Sequence, residues 1–161
     1  MPQRVIFVCT GNICRSPTAE GLLRHMAEAR GLGQRIEAAS AGIEGWHAGA
    51  PPDERSQEHA LQRGIDLSVQ RARRFVRGDF DHYDLVVAMD DGHHDALRRM
   101  CPPALLHKLR RAADFSERVP GGGVPDPYYG GAQGFEQVLD MLEAVCARVL
   151  AETAARSASS D

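Results

Sequence analysis

Two continuous apolar runs stand out along the chain, and both read as buried strands. Val5-Ile6-Phe7-Val8-Cys9 is rich in β-branched and aromatic residues and is soon followed by Gly11, and Leu85-Val86-Val87-Ala88-Met89 repeats the pattern. Elsewhere the apolar spacing becomes that of a helix. Ala19, Leu22, Leu23, Met26 and Ala27 mark one face, with Ser16 expected as N-cap, Pro17 at the first helical position, and Gly31 and Gly33 as the stop. Ile36 to Ser40 predicts a second, weaker strand, and Asp53 to Arg63 a short helix closed by Gly64. Gly92 to Cys101 predicts a helix stopped by Pro102-Pro103, and Leu105 to Leu109 a last short strand. From Asp114 to Gly134 the chain is rich in Gly and Pro, which predicts a long loop. Phe135, Val138, Leu139, Met141, Leu142, Val145, Cys146 and Val149 then predict a final helix. The expectation is one domain over residues 1–153, with a disordered tail over 154–161.

Strands that alternate with helices imply an α/β fold, a parallel sheet covered on both faces. Ligands in such folds bind at the carboxyl ends of strands, so the loop after the first strand is the expected site. The length of 161 residues suits one core, and 43% apolar residues suit a soluble domain. A formal net charge of −3 lacks the basic excess of a nucleic-acid binder. No apolar run approaches the roughly 18 residues of a membrane span. The first apolar run is too short for a signal peptide, so a cytoplasmic location is expected. There are four cysteines, at 9, 14, 101 and 146. A core of this size needs no disulfide staple, and a reducing compartment fits them better. Cys101 and Cys146 fall in helical patterns and read as small buried apolar residues.

The loop itself reads Cys9-Thr10-Gly11-Asn12-Ile13-Cys14-Arg15-Ser16-Pro17. Five residues between Cys9 and Arg15 can curl into a cradle of inward backbone N–H groups at a helix start, and both features favour a bound oxyanion. Gly11 permits the backbone angles of such a curl, and Asn12 tolerates left-handed geometry. Arg15 can fork onto two phosphate oxygens. A cysteine in that electropositive setting is favoured as thiolate, a nucleophile aimed at phosphorus. Metal binding is not expected, because Cys9 and Cys14 lack a second ligand pair at zinc-like spacing and His93-His94, being adjacent, cannot face one site on a helix.

The motif from Val8 to Pro17, near the N-terminus, resembles the signature of the low-molecular-weight protein tyrosine phosphatases. Further similarities follow in order: Ser40-Ala41-Gly42, Trp46, Ala72-Arg73, Ala88-Met89-Asp90 and Asp126-Pro127-Tyr128-Tyr129. The resemblance implies a three-layer α/β/α fold with a four-stranded parallel sheet of order 2-1-3-4 and a phosphate-binding loop after the first strand. It implies metal-free, cofactor-free hydrolysis of protein phosphotyrosine through a phosphocysteine intermediate. Cys9 would be the nucleophile, Arg15 the phosphate clamp and Asp126 the general acid and base. Thr10, Gly11, Asn12, Ile13, Cys14 and Ser16 would form the loop, with Asn12 and Ser16 holding the loop and the thiolate, and Ser40 supporting them from below. Trp46, Tyr128 and Tyr129 would wall the slot for the substrate ring, with Ile13 at its floor. Cys14 would form a reversible disulfide with Cys9 under oxidation. The implied partner is a phosphotyrosine protein, with no nucleic acid or membrane, and the chain would be a monomer or weak dimer.

The chemistry agrees independently, because a phenolate of pKa near 10 leaves poorly at neutral pH unless it is protonated. Asp126 between Pro125 and Pro127 has a restricted backbone, which limits where its side chain points. One departure is Gln70, where the family often carries histidine ahead of the Ala-Arg pair. The run Gly121-Gly122-Gly123 suggests a mobile acid loop. Three other functions compete: arsenate reduction, protein-arginine dephosphorylation, and a silent phosphotyrosine-binding module. The first needs further cysteines near the third strand, and Leu85 to Asp95 has none. The second is associated with threonine where this chain has Ile13. The third would lose Cys9, Arg15 or Asp126, and all are present.

Overall fold

In a computed structural model, which describes residues 2–127 and 130–159, the chain folds around four parallel strands. These are β1 (Gln3–Cys9), β2 (Ile36–Gly42), β3 (Leu85–Ala88) and β4 (Leu109–Arg111), in the order β2-β1-β3-β4. The helices are α1 (Arg15–Ala29), α2 (Glu54–Gln62), α3 (Asp79–His82), α4 (Asp91–Met100) and α5 (Gly131–Ser159).

Side chains alternate across a strand, so β1 feeds two cores. Val5, Phe7 and Cys9 join the apolar faces of α1 and α5, while Ile6 and Val8 join Phe75, Phe80 and Leu97 on the other face. Both faces of the sheet are therefore covered, which is why its central strands are apolar throughout rather than alternating. The chain passes from β1 to β2 on one side and returns to β3 on the other, pairing Cys9 with Gly42 and Val8 with Ala88. The switch point lies at the end of β1, where the loop carrying Cys9 begins.

The order 2-1-3-4 and the two long apolar strands are as expected. Four features differ. Residues expected as a strand from Leu105 form a 3₁₀ helix, Pro103–Lys108, and the strand begins only at Leu109, where residues fall opposite Val86 to Ala88. Lys108 Nζ reaches across to the Phe80 carbonyl at 2.7 Å, which holds that turn against α3. α3 itself was not foreseen, since four residues are too few to show a period. The last helix begins at Gly131 and runs on to Ser159. The stretch from 154 expected as a tail is helical because Thr153 and Ser157 continue the buried face of Val149 and Leu150. α1 starts at Arg15 with Cys14 as its cap and no side-chain capping bond, because the Ser16 hydroxyl is engaged elsewhere.

Candidate active site

Cys9 ends β1 with its sulfur at the base of the loop, 2% exposed. The Ser16 hydroxyl lies 2.9 Å from Cys9 Sγ. Asn12 adopts the left-handed conformation, φ 59°, and its buried amide does two jobs. Nδ2 donates to Ser16 Oγ and to Ser40 Oγ, both at 2.9 Å, and Oδ1 accepts from the Arg73 backbone N–H at 3.0 Å. Ser40 Oγ in turn donates to Glu20 Oε1 at 2.7 Å. Since Asn12 donates into Ser16, the Ser16 proton is left for Cys9 Sγ or for the Ala41 carbonyl at 3.4 Å, and the shorter contact is the one to the sulfur.

Gly11 has no positive φ, so its role differs from the expected one. A Cβ there would stand 2.8 Å from the His47 ring, so a side chain at this position would push the exposed His47 imidazole away from the loop.

Arg15 is 5% exposed, and its neighbours fix its fork. Nη1 donates to Asp90 Oδ2 at 3.1 Å and to the Val124 carbonyl at 3.0 Å, and Nη2 makes a long contact with Thr10 Oγ1 at 3.4 Å. Asp90 caps α4, its Oδ1 accepting the His93 backbone N–H at 2.8 Å. His93 is thereby placed over the loop, its Nε2 2.8 Å from Thr10 Oγ1. Its Nδ1 lies 3.1 Å from Asp90 Oδ1 without hydrogen-bond alignment, a close electrostatic contact only. Burial, reinforced by the Arg15 cation, pushes the His93 imidazole down to about 4, against the pull of Asp90 and Asp126. Neutral His93 shares one hydrogen bond with the Thr10 hydroxyl through Nε2. Arg15, Asp90, His93 and Thr10 so close a ring about the loop.

The glycine run expected as mobile is tied to this ring. Gly123 bridges to Asp90, the Asp91 N–H donates to the Gly122 carbonyl at 2.9 Å, and the Val124 N–H to the Met89 carbonyl at 2.9 Å. Gly123 has φ 121°, and a Cβ there would lie 2.4 Å from Asp90 Cα. The strand end therefore fixes the start of the segment leading to Asp126.

The loop floors a cleft of about 270 Å³. Cys9, Arg15 and Ile13 lie within it, and Trp46, His47 and Asp126 stand around it. Trp46 is 73% exposed, a large apolar ring left facing solvent. Tyr128 and Tyr129 lie outside the described residues. Cys14 borders the cleft, and burial, with the Asp53 carboxylate adding to it, pushes its thiol up to about 12. Cys101 and Cys146 sit in the two cores, away from the cleft, as expected.

The sequence reasoning did not assign Glu20, His47, Asp90 or His93. Asp90 and His93 had a readable signal, an acidic cap three residues before a histidine at a strand end. Gln70, where a histidine was wanted, donates Nε2 to the Pro17 carbonyl at 3.0 Å, so this position still braces the loop from the α1 side.

Residues 4–159 match the family described as low molecular weight phosphotyrosine protein phosphatase. A Streptomyces coelicolor protein named low molecular weight protein-tyrosine-phosphatase is 47% identical, over 94% of this chain and 93% of its own. YfkJ of Bacillus subtilis, named likewise, is 42% identical over 91% and 93%. Its crystal structure superposes with a TM-score of 0.86 over 94% of each chain. A protein tyrosine phosphatase from Entamoeba histolytica with Hepes in its active site gives 0.89 at 34% identity, covering 93% and 96%. Fold and loop define a cysteine-dependent phosphatase. The chain belongs to the low molecular weight phosphotyrosine protein phosphatase family, and its activity is phosphotyrosine hydrolysis.

Proposed function

We propose that Cys9, Arg15 and Asp126 carry the reaction in two displacements. The Cys9 thiolate attacks phosphorus, and the P–O bond to the tyrosine breaks as Asp126 passes its proton to the leaving oxygen. The phosphocysteine then meets a water, whose proton goes to the Asp126 carboxylate while its oxygen bonds to phosphorus. The S–P bond breaks, phosphate departs and the thiolate returns. Arg15 and the loop amides hold the equatorial oxygens, where charge is greatest in both steps. The observation that carries this reading is the Ser16 hydroxyl 2.9 Å from Cys9 Sγ, backed by Asn12, at the floor of a cleft bordered by Asp126.

Trp46 and Ile13 supply apolar surface for the substrate ring, with Tyr128 and Tyr129 assigned to the wall on resemblance. Thr10 and Gly11 complete the cradle and Ser40 steadies Asn12. Cys14, held as a thiol, condenses with a Cys9 sulfenic acid to give a disulfide and water, protecting Cys9 from irreversible oxidation. Peroxide-treated protein then recovers with dithiothreitol, and Cys14→Ser does not. A thiolate enzyme of this kind suits the reducing cytoplasm. It acts on phosphoprotein as a monomer or weak dimer, and its negative net charge does not favour nucleic acid.

The alternatives gain no support. An arsenate-reducing relay wants further cysteines near the end of β3, beyond Cys9 and Cys14, and Cys101 and Cys146 are in the cores. Ile13 offers no hydrogen bond to a guanidinium. The deciding assay is hydrolysis of p-nitrophenyl phosphate with a chelator present. Turnover abolished by Cys9→Ser and strongly slowed by Asp126→Ala supports the assignment, and no turnover by folded, reduced protein refutes it.

A further inference from the structure

The cleft has an uneven rim. Residues 71–77 read Arg-Ala-Arg-Arg-Phe-Val-Arg, four cations in seven positions without an acid, in a chain of net charge −3. The fold lays this segment against the loop that carries Trp46. At one end, the Gly42 N–H donates to the Arg73 carbonyl and the Phe75 N–H to the Gly42 carbonyl, both at 2.8 Å. At the other, the Gly49 N–H donates to the Ala72 carbonyl and the Ala72 N–H to the Ala50 carbonyl, again at 2.8 Å. The Trp46 loop is thus bracketed by the arginine segment at both ends.

The four arginines are not equivalent. Arg73 is neutralised by Asp79, with both of its terminal nitrogens on the carboxylate at 3.0 and 3.1 Å. Arg71, Arg74 and Arg77 are exposed, and none has a carboxylate at ion-pair distance among the described residues. Arg74 packs beside the Trp46 loop, its side chain lying along Gly45, with Cδ 3.7 Å from where a Cβ would stand. Gly45 immediately precedes Trp46. A peptide whose phosphotyrosine ring packs on Trp46 continues past this point. Glu44 is the loop's single acid against these three cations.

We propose that this arginine rim selects phosphotyrosine substrates bearing acidic residues beside the phosphotyrosine, with Arg74 making the nearest contact. The inference rests on the phosphatase reading above and adds the substrate class. Guanidinium forks match carboxylates, and charges on an exposed rim chiefly steer encounter and register. An extended polyanion such as nucleic acid fits less well, since Asp53, Asp90, Asp91 and Asp126 flank the other sides of the loop.

The test compares two phosphotyrosine peptides differing only in Glu or Gln at the flanking positions, with p-nitrophenyl phosphate as a small reference substrate. The unaltered protein is expected to favour the acidic peptide in kcat/KM by about tenfold at low ionic strength, with the preference shrinking as salt rises. Arg74→Glu, or Arg71, Arg74 and Arg77 all changed to Gln, is expected to reduce that ratio through KM, by more than any change on p-nitrophenyl phosphate. Equal kcat/KM for the two peptides in the unaltered protein, with p-nitrophenyl phosphate turned over, overturns this inference alone. So does a ratio that survives both variants. Failure to hydrolyse p-nitrophenyl phosphate overturns the phosphatase reading and this inference with it.

Discussion

The Thr10 hydroxyl and His93 Nε2 meet at 2.8 Å across the mouth of the phosphate-binding loop, joining residues 83 positions apart in the chain. Through Asp90, the same histidine is linked to Arg15. The contact makes His93 a positioning residue rather than a participant in bond making. His93→Leu leaves the Thr10 hydroxyl without its hydrogen-bond partner at Nε2. It is expected to raise KM for p-nitrophenyl phosphate and the inhibition constant of inorganic phosphate by roughly five- to tenfold, the size of one lost neutral hydrogen bond. His93→Gln, which keeps a hydrogen-bonding group of either sense, is expected to recover part of the loss. Combining His93→Leu with Thr10→Val is expected to cost little more than either alone. Additive losses would break the link between the two.

His93 also sets a pH dependence of stability. Its imidazole titrates near 6.5 when the chain is unfolded and is pushed down to about 4 in the folded state, chiefly by burial and by Arg15. Between those values the unfolded state binds a proton that the native state does not, so stability falls as pH drops from 6.5 toward 4. The full effect is roughly 3 kcal/mol. Asp90 and Asp126 face the same ring and oppose the shift, and Arg15 supports it. Urea midpoints across this range are expected to decline less steeply for His93→Gln than for the unaltered protein. Parallel curves would assign the acid sensitivity to other groups.

The Ser16 hydroxyl is expected to matter more to turnover than to folding. It lies 2.9 Å from the sulfur that the proposed mechanism uses as nucleophile, and a charge-assisted bond there is worth about 1.5–3 kcal/mol. Ser16→Ala is therefore expected to lower kcat for p-nitrophenyl phosphate by roughly 10- to 100-fold. The N-terminus of α1 makes no use of this hydroxyl as a cap and Asn12 Nδ2 keeps Ser40 as an acceptor, so only a modest fall in melting temperature is expected from the lost buried hydrogen bond. A large fall in melting temperature with near-normal kcat would reverse that division.

Gly123 is the opposite case, a backbone position with a consequence for the site. A methyl group there meets Asp90 Cα at 2.4 Å and the Met89 carbonyl at 2.6 Å, at a φ of 121°. Gly123→Ala is expected to destabilise the fold by about 2 kcal/mol or more. It also displaces Asp90 and the Val124 carbonyl, the two partners of Arg15 Nη1. Weaker phosphate inhibition should therefore accompany the lower melting temperature. Gly122→Ala, whose Cβ meets nothing within 4 Å although its φ is 94°, separates the two effects: backbone strain without the clash is expected to spare phosphate affinity.

Much of the site was legible because it is local. Cys9 and Arg15 lie on one loop between a buried strand and a helix, and that spacing allows a cradle to form. The strand order followed from resemblance, and the cores of β1 and β3 from their unbroken apolar runs. What holds the cradle was not legible, because its partners are remote in the chain. Arg15 bonds Val124, 109 positions away, and Asn12 bonds Arg73, 61 positions away. Ser16 reads locally as a helix cap, yet Asn12 and Cys9 compete for its hydroxyl once the loop closes, and they win. The start of β4 and the helical 154–159 segment escaped for the same reason: a register opposite β3 and a packed face along α5 exist only when other elements arrive. Residue spacing determines which backbone shapes and nearby groups can form. Which distant strand end or helix cap supplies the remaining hydrogen bonds depends on how the layers stack, and only the tertiary structure decides that.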